Sequence, residues 1–170
     1  LFRGIVSLGN SEILDFPPRP NIDVRKLSFV SGGAAQKLHY IFFCLWTFIR
    51  ALLWRPKWIY TSEPLSCPIA LTLSYLPRIK IIYHEHDSPN LRQGVSGFIK
   101  YVLKARKNLA SKAALCILPN EERLKKFIQE TGRLGDTLCV WNCPRLEETR
   151  PQRKLARNRG LMLYYHGTIG

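Results

Sequence analysis

The stretch IKIIYHEHD, residues 79–87, decides how the rest of the chain is read. Ile79, Ile81, Ile82 and Tyr83 form the most hydrophobic β-type run in the sequence, and it breaks into His84, Glu85, His86 and Asp87. A strand with one wet face alternates apolar and polar residues. A nearly continuous apolar run belongs to a strand covered on both sides, as in a parallel sheet. Upstream, Trp58 to Thr61 reads as a strand and Pro64 to Tyr75 as a helix, in which Pro64 suits the first turn and Pro68 predicts a late start or a kink. Downstream, Phe98, Val102, Ala105 and Leu109 recur at helical spacing. Leu115 to Leu118 is then a strand, Asn120 to Thr131 a helix closed by Gly132, and Thr137 to Asn142 a strand.

Further out, Gly4 to Leu8 and Val24 to Val30 read as strands separated by the proline-rich loop Phe16 to Pro20. Gln36 to Trp54 is a long helix ended by Arg55-Pro56. It is apolar nearly all round, which predicts burial on most of its circumference. Core packing is preferred to membrane contact for its Phe42, Phe43, Trp46 and Phe48, because a helix covering a doubly wound sheet must be apolar. Strand and helix alternate through short connections. The expected fold is α/β: a Rossmann-like open parallel sheet with helices on both faces. Residues 1–143 make up this domain, charge-rich residues 144–160 a linker, and residues 161–170 the first strand and glycine loop of a further domain.

Open α/β sheets bind ligands beyond the carboxyl ends of their strands. At those places the chain offers Ser62 and Glu63, then His84, Glu85, His86 and Asp87, then Asn120, then Asn142. Two imidazoles and two carboxylates in four residues can hydrogen-bond a hydroxylated ligand, move protons or hold a metal. Strand alternation puts His84 and His86 on one face and Glu85 on the other, which argues against a metal centre. The plainer alternative is a solvated strand end whose Asp87 helps to cap the turn.

Over 170 residues, 46% hydrophobic content excludes a disordered chain, and the modest Gly, Pro and Cys content excludes collagen-like and disulfide-scaffold classes. The five cysteines are scattered among apolar residues and read as buried free thiols of a reducing compartment. The longest apolar stretch, Tyr40 to Ile49, is far short of a membrane span. Lys and Arg outnumber Asp and Glu by 26 to 12, for a net charge of +14. Two stretches hold no acid at all: Val24 to Ser62, and Ser88 to Asn120. Lys100, Lys104 and Lys107 of the second fall on one helical face, with Arg106 nearby. Such runs are often plain solvated faces. Together they suggest an anionic partner, and beside Phe98, Ile99 and Leu103 they fit reversible docking on an anionic membrane surface.

Several pieces in order, VSLGNSEIL, VRKLSFV, RPKWIYTSEP, IKIIYHEHDSP, AALCILPNEERLKKF, TLCVWNCPR and LMLYYHGTIG, resemble the N-terminal domain of the family 4 (group 1) retaining glycosyltransferases of GT-B fold. The resemblance covers essentially the whole chain. It implies the acceptor-binding half of a nucleotide-sugar-dependent enzyme that transfers a hexosyl group, with retained stereochemistry, to a glycan or lipid-linked acceptor. His86 and Asp87 would face the catalytic cleft, and Ser62, Glu63, His84, Glu85, Asn120 and Asn142 would contact substrate. Gly167 and Thr168 would lie near the donor diphosphate, where a missing side chain lets backbone N–H groups approach phosphate, although an ordinary turn glycine fits Gly167 as well. Lys100, Lys104, Arg106 and Lys107 would meet the membrane, in a cytoplasmic, peripheral protein. No cofactor or metal is implied beyond the nucleoside diphosphate sugar.

In two respects the chain departs from the family. Leu1 and Gly170 look like cut ends, and GIVSLGN matches the family's second strand, so the opening strand and its glycine-rich loop are missing. Were that strand central, the chain would lack the piece joining its first two strands to the rest. The donor half is also missing, so the expectation is that these 170 residues alone transfer no sugar. Two rival classes stand beside this one. A basic α/β module binding nucleic acid is suggested by the charge, but Trp58, Tyr60 and Tyr83 lie inside strands and are not interleaved with surface basics. A non-catalytic interaction domain is the other.

Overall fold

The computed structural model describes residues 2–7, 20–87 and 96–141. It begins with β1 (Phe2–Ser7) and β2 (Ile22–Leu27), paired in parallel from Phe2↔Ile22 to Ser7↔Leu27. After α1 (Ala34–Trp54) come β3 (Trp58–Ser62), a 3₁₀ turn (Pro64–Ser66), α2 (Cys67–Leu73) and β4 (Lys80–His84). Then follow α3 (Gly97–Lys112), β5 (Leu115–Leu118), α4 (Glu121–Thr131) and β6 (Thr137–Cys139). Strands β3 to β6 form a four-stranded parallel sheet in chain order. The molecule is an α/β structure of Rossmann-like, open parallel type.

Local chemistry explains where the helices start and stop. Asn120 caps α4, its Oδ1 accepting from Arg123 N at 2.8 Å, and Glu121 and Glu122 occupy the first turn, where the helix dipole favours negative charge. Gly132, at φ 69°, closes the same helix in the left-handed conformation. Ser96 caps α3 by accepting from Ile99 N at 3.4 Å. Helix α2 starts late, at Cys67 and not at Pro64, with Pro68 in its first turn, where a missing N–H costs nothing.

Strand alternation divides the four-stranded sheet into two faces. Ile81, Tyr83, Cys116 and Leu118 point to one face, where they join Cys67 and Ala70 of α2, Ala105, Leu109 and Ala110 of α3, and Phe127 of α4. Tyr83, Leu109, Leu118 and Phe127 are fully buried there, each contributing about 1.5–3 kcal/mol. The helical cover given by the described residues lies on this face. The other face presents Tyr60, Ile82, His84 and Ile117, none of which belongs to either buried cluster.

The long helix departs from expectation. Only Ala51 of α1 is buried; Phe43, Cys44 and Phe48 pack with it against Ile69, Leu73 and Leu76. Leu38, Ile41, Phe42, Leu45, Ile49, Leu52 and Leu53 are exposed, so burial is confined to one stripe. No described strand joins the two sheets: β1 pairs with β2 alone and β3 with β4 alone. Cys44, Cys67, Cys116 and Cys139 are free thiols, and burial pushes Cys67 up to about 12 and Cys116 up to about 11, leaving both inert.

Candidate functional site

The carboxyl ends of β3, β4 and β5 meet at one edge. Register pairs Ser62 with His84 and His84 with Ile117, so the residue after β3, the end of β4 and the loop into α4 converge. The turn after β3 is unusual. Glu63 has φ 68° and ψ 151°, a region sparsely populated by residues with a side chain, at a cost of about 1–3 kcal/mol. Hydrogen bonds hold it there. Glu63 N donates to His84 O at 3.1 Å, Ser66 N to Glu63 O at 3.1 Å, and Ser66 Oγ to Glu63 O at 2.7 Å.

This turn aims the Glu63 carboxylate at β4, where Oε1 accepts from His86 N at 3.3 Å. From the opposite side, Arg123 of α4 donates through Nη1 to His86 O and, at 3.1 Å, to Asp87 Oδ1. Both backbone polar groups of His86 are therefore held by charged side chains. The rings of His84 and His86 lie side by side, centroids 3.8 Å apart. His84 Nδ1 is hydrogen-bonded to the Tyr60 hydroxyl, and with the phenol as donor the imidazole keeps its own proton on Nε2. Burial, together with the neighbouring His86, lowers the proton affinity of His84. Burial raises the Glu63 carboxyl and the Tyr60 phenol. The edge thus presents a neutral imidazole, a second imidazole, a carboxylate and a phenol, which together both donate and accept.

Not every residue expected at this edge is part of it. Glu85 is no substrate contact. It is 0% exposed on the helical face, where its carboxylate accepts from Arg106 Nε at 2.6 Å, Arg106 Nη2 at 2.8 Å and the Tyr83 hydroxyl at 2.7 Å. Arg106 correspondingly is not a membrane-surface residue. It is 4% exposed, its Nη1 also donates to Glu130 Oε2 at 2.9 Å, and only its sequence neighbours Lys100, Lys104 and Lys107 reach solvent. Asn120 is occupied as the cap of α4, and Asp87 is exposed apart from its pairing with Arg123. Asn142, Gly167 and Thr168 lie outside the described residues, as do Cys143, the linker and the expected strand Leu161 to Tyr165.

Tyr60 and Arg123 were missed in the sequence. Tyr60 stands two residues before Ser62 on the same strand face, and Arg123 one helical turn past Asn120, so both were within reach of a register argument. Among the described residues no group of His, Cys, Asp and Glu is arranged to hold a metal, and no helix is long and apolar enough to cross a membrane. A groove of about 440 Å³ opens between α2 and α3, lined by Pro68, Tyr75, Tyr101 and Lys104, on the helical side and away from the histidines. Comparison with family models, with curated proteins and with solved structures finds no match.

Proposed function

We propose that this chain is the acceptor-binding half of a nucleotide-sugar-dependent retaining glycosyltransferase. The observation that carries the proposal is the contacting, mutually tilted pair His84 and His86 at the carboxyl edge of a parallel sheet, flanked by Tyr60 and Glu63. Mixed donors and acceptors around neutral imidazole suit a polyhydroxylated ligand, whose hydroxyls do both. In this reading His86 holds the acceptor hydroxyl, with Asp87 and Arg123 closing the rim. In transfer, that hydroxyl's oxygen would bond to the sugar as the sugar–diphosphate bond breaks, and its proton would pass to the departing nucleoside diphosphate.

Exposed Lys100, Lys104 and Lys107 on α3, beside exposed Phe98, Ile99 and Tyr101, support a cytoplasmic protein that rests on anionic lipid. At about 1 kcal/mol for each apposed lysine, attachment is reversible. NMR titration of the histidine-labelled chain with neutral glycosides tests the acceptor reading. His84 and His86 resonances shift with glycoside while His39 does not. Unmoved imidazoles at millimolar glycoside, or a steeply salt-dependent complex with polynucleotide instead, would overturn it. Co-sedimentation with anionic but not neutral vesicles, lost in a Lys100→Glu/Lys104→Glu/Lys107→Glu variant, tests the membrane surface.

A further inference from the structure

A buried ion pair stands directly behind the histidines. In β4, side chains alternate, so Tyr83 and Glu85 turn to the helical face while His84 turns to the open one. The Glu85 carboxylate takes three donors, two from the Arg106 guanidinium and one from the Tyr83 hydroxyl, at 2.6–2.8 Å. Arg106 in turn reaches Glu130 of α4, the helix whose Arg123 holds His86 O. Burial alone would lower the Arg106 proton affinity, but Glu85 more than offsets it, so the guanidinium is charged and the fork is kept. Such pairs rarely repay their desolvation as stability, and apolar substitutes of similar volume often fold as well. A bidentate fork does supply fixed geometry, and the residue it fixes lies between His84 and His86.

We propose that Arg106 is a positioning residue: acting through Glu85, it locks the end of β4 so that the His84 and His86 rings are held side by side at the ligand edge. The role rests on the reading of these histidines as the ligand-contacting pair, and it concerns their geometry whether or not a sugar binds. The groups facing the pair are Tyr60 and Glu63 from the β3 side, Asp87 from the same chain segment, and Arg123 from α4. Two rings in contact give a nuclear Overhauser effect between their protons, and its size falls steeply as the rings part.

The test measures the nuclear Overhauser effect between the His84 and His86 ring protons, which is present in the native chain. Arg106→Lys keeps the charge but loses the fork, and the effect falls to less than about half of its native value. Tyr83→Phe removes one donor to Glu85 and weakens the effect less; it decides the question if Arg106→Lys does not fold. Arg133→Lys is the control for destabilisation alone. Arg133 is as buried as Arg106, at 3%, but donates to the backbone carbonyls of Ala110, Ala113 and Asp136 and touches nothing at the edge. An unchanged effect in the folded Arg106 and Tyr83 variants overturns the proposal, as does an equal loss in Arg133→Lys. Glycoside binding is scored separately in the native chain, so failure of the acceptor reading and failure of the positioning role give different results.

Discussion

His84 is the residue at which burial becomes pH dependence. Its folded proton affinity is lowered, by burial and by His86, whereas in the unfolded chain the ring titrates near 6.5. The unfolded state therefore binds the proton more tightly. The stability His84 contributes is fully present above 6.5 and is lost as pH falls through the lowered folded value. Glu63 has the opposite sign: burial raises its carboxyl above its ordinary value of 4.5, so its contribution is full below 4.5 and is lost as pH rises through the folded value. The imidazole is read in the range just below 6.5, where the unfolded ring gains its proton. The urea midpoint is expected to fall across that range, and His84→Asn to flatten the dependence; a native curve that is level there would show that the ring is solvated after all. The four polar residues ending β4 were visible in the sequence, yet their roles were not. Alternation assigned Glu85 to the other face, but its partner is 21 positions away on α3, a distance at which no local pattern speaks.

Among the elements, α1 and α4 differ instructively. Helix α4 was legible to within a residue because its signals are local: an Asn cap, two acids in the first turn and a closing glycine. The limits of α1 were almost as clear, but its environment was not. Apolar composition says that a residue can be buried and is silent on whether a neighbour exists to bury it. Cys44, Phe48 and Ala51, at helical spacing, found α2; Leu38, Leu45 and Ile49 found no cover among the described residues. Leu38→Gln, Leu45→Gln and Ile49→Gln are accordingly each expected to change the unfolding free energy by less than about 0.5 kcal/mol while reducing self-association. Phe48→Ala should cost about 2 kcal/mol, short of the cost for a completely buried phenylalanine. Chemical denaturation with light scattering checks both, and equal costs on the two stripes would contradict the packing described.

At the scale of the molecule, the two sheets are expected to behave as separate units. An isolated pair of strands is marginal in water, whereas β3 to β6 are backed by three helices. Hydrogen exchange should be slow at Ile81, Tyr83, Cys116 and Leu118 and much faster across β1 and β2; equal protection would show that something welds the sheets together. Sequence alone determined the order of the elements, the parallel character of the sheet and the edge at which polar groups gather. Those features follow from side-chain periodicity, caps and prolines, each acting over a few residues. Only the tertiary structure decided which charged groups reach that edge and which turn inward. Arg106 and Lys107 are adjacent in sequence, but one lies against buried Glu85 and the other in water. The difference arises because a helix presents successive residues about 100° apart, and the face that meets the sheet is chosen by distant chain.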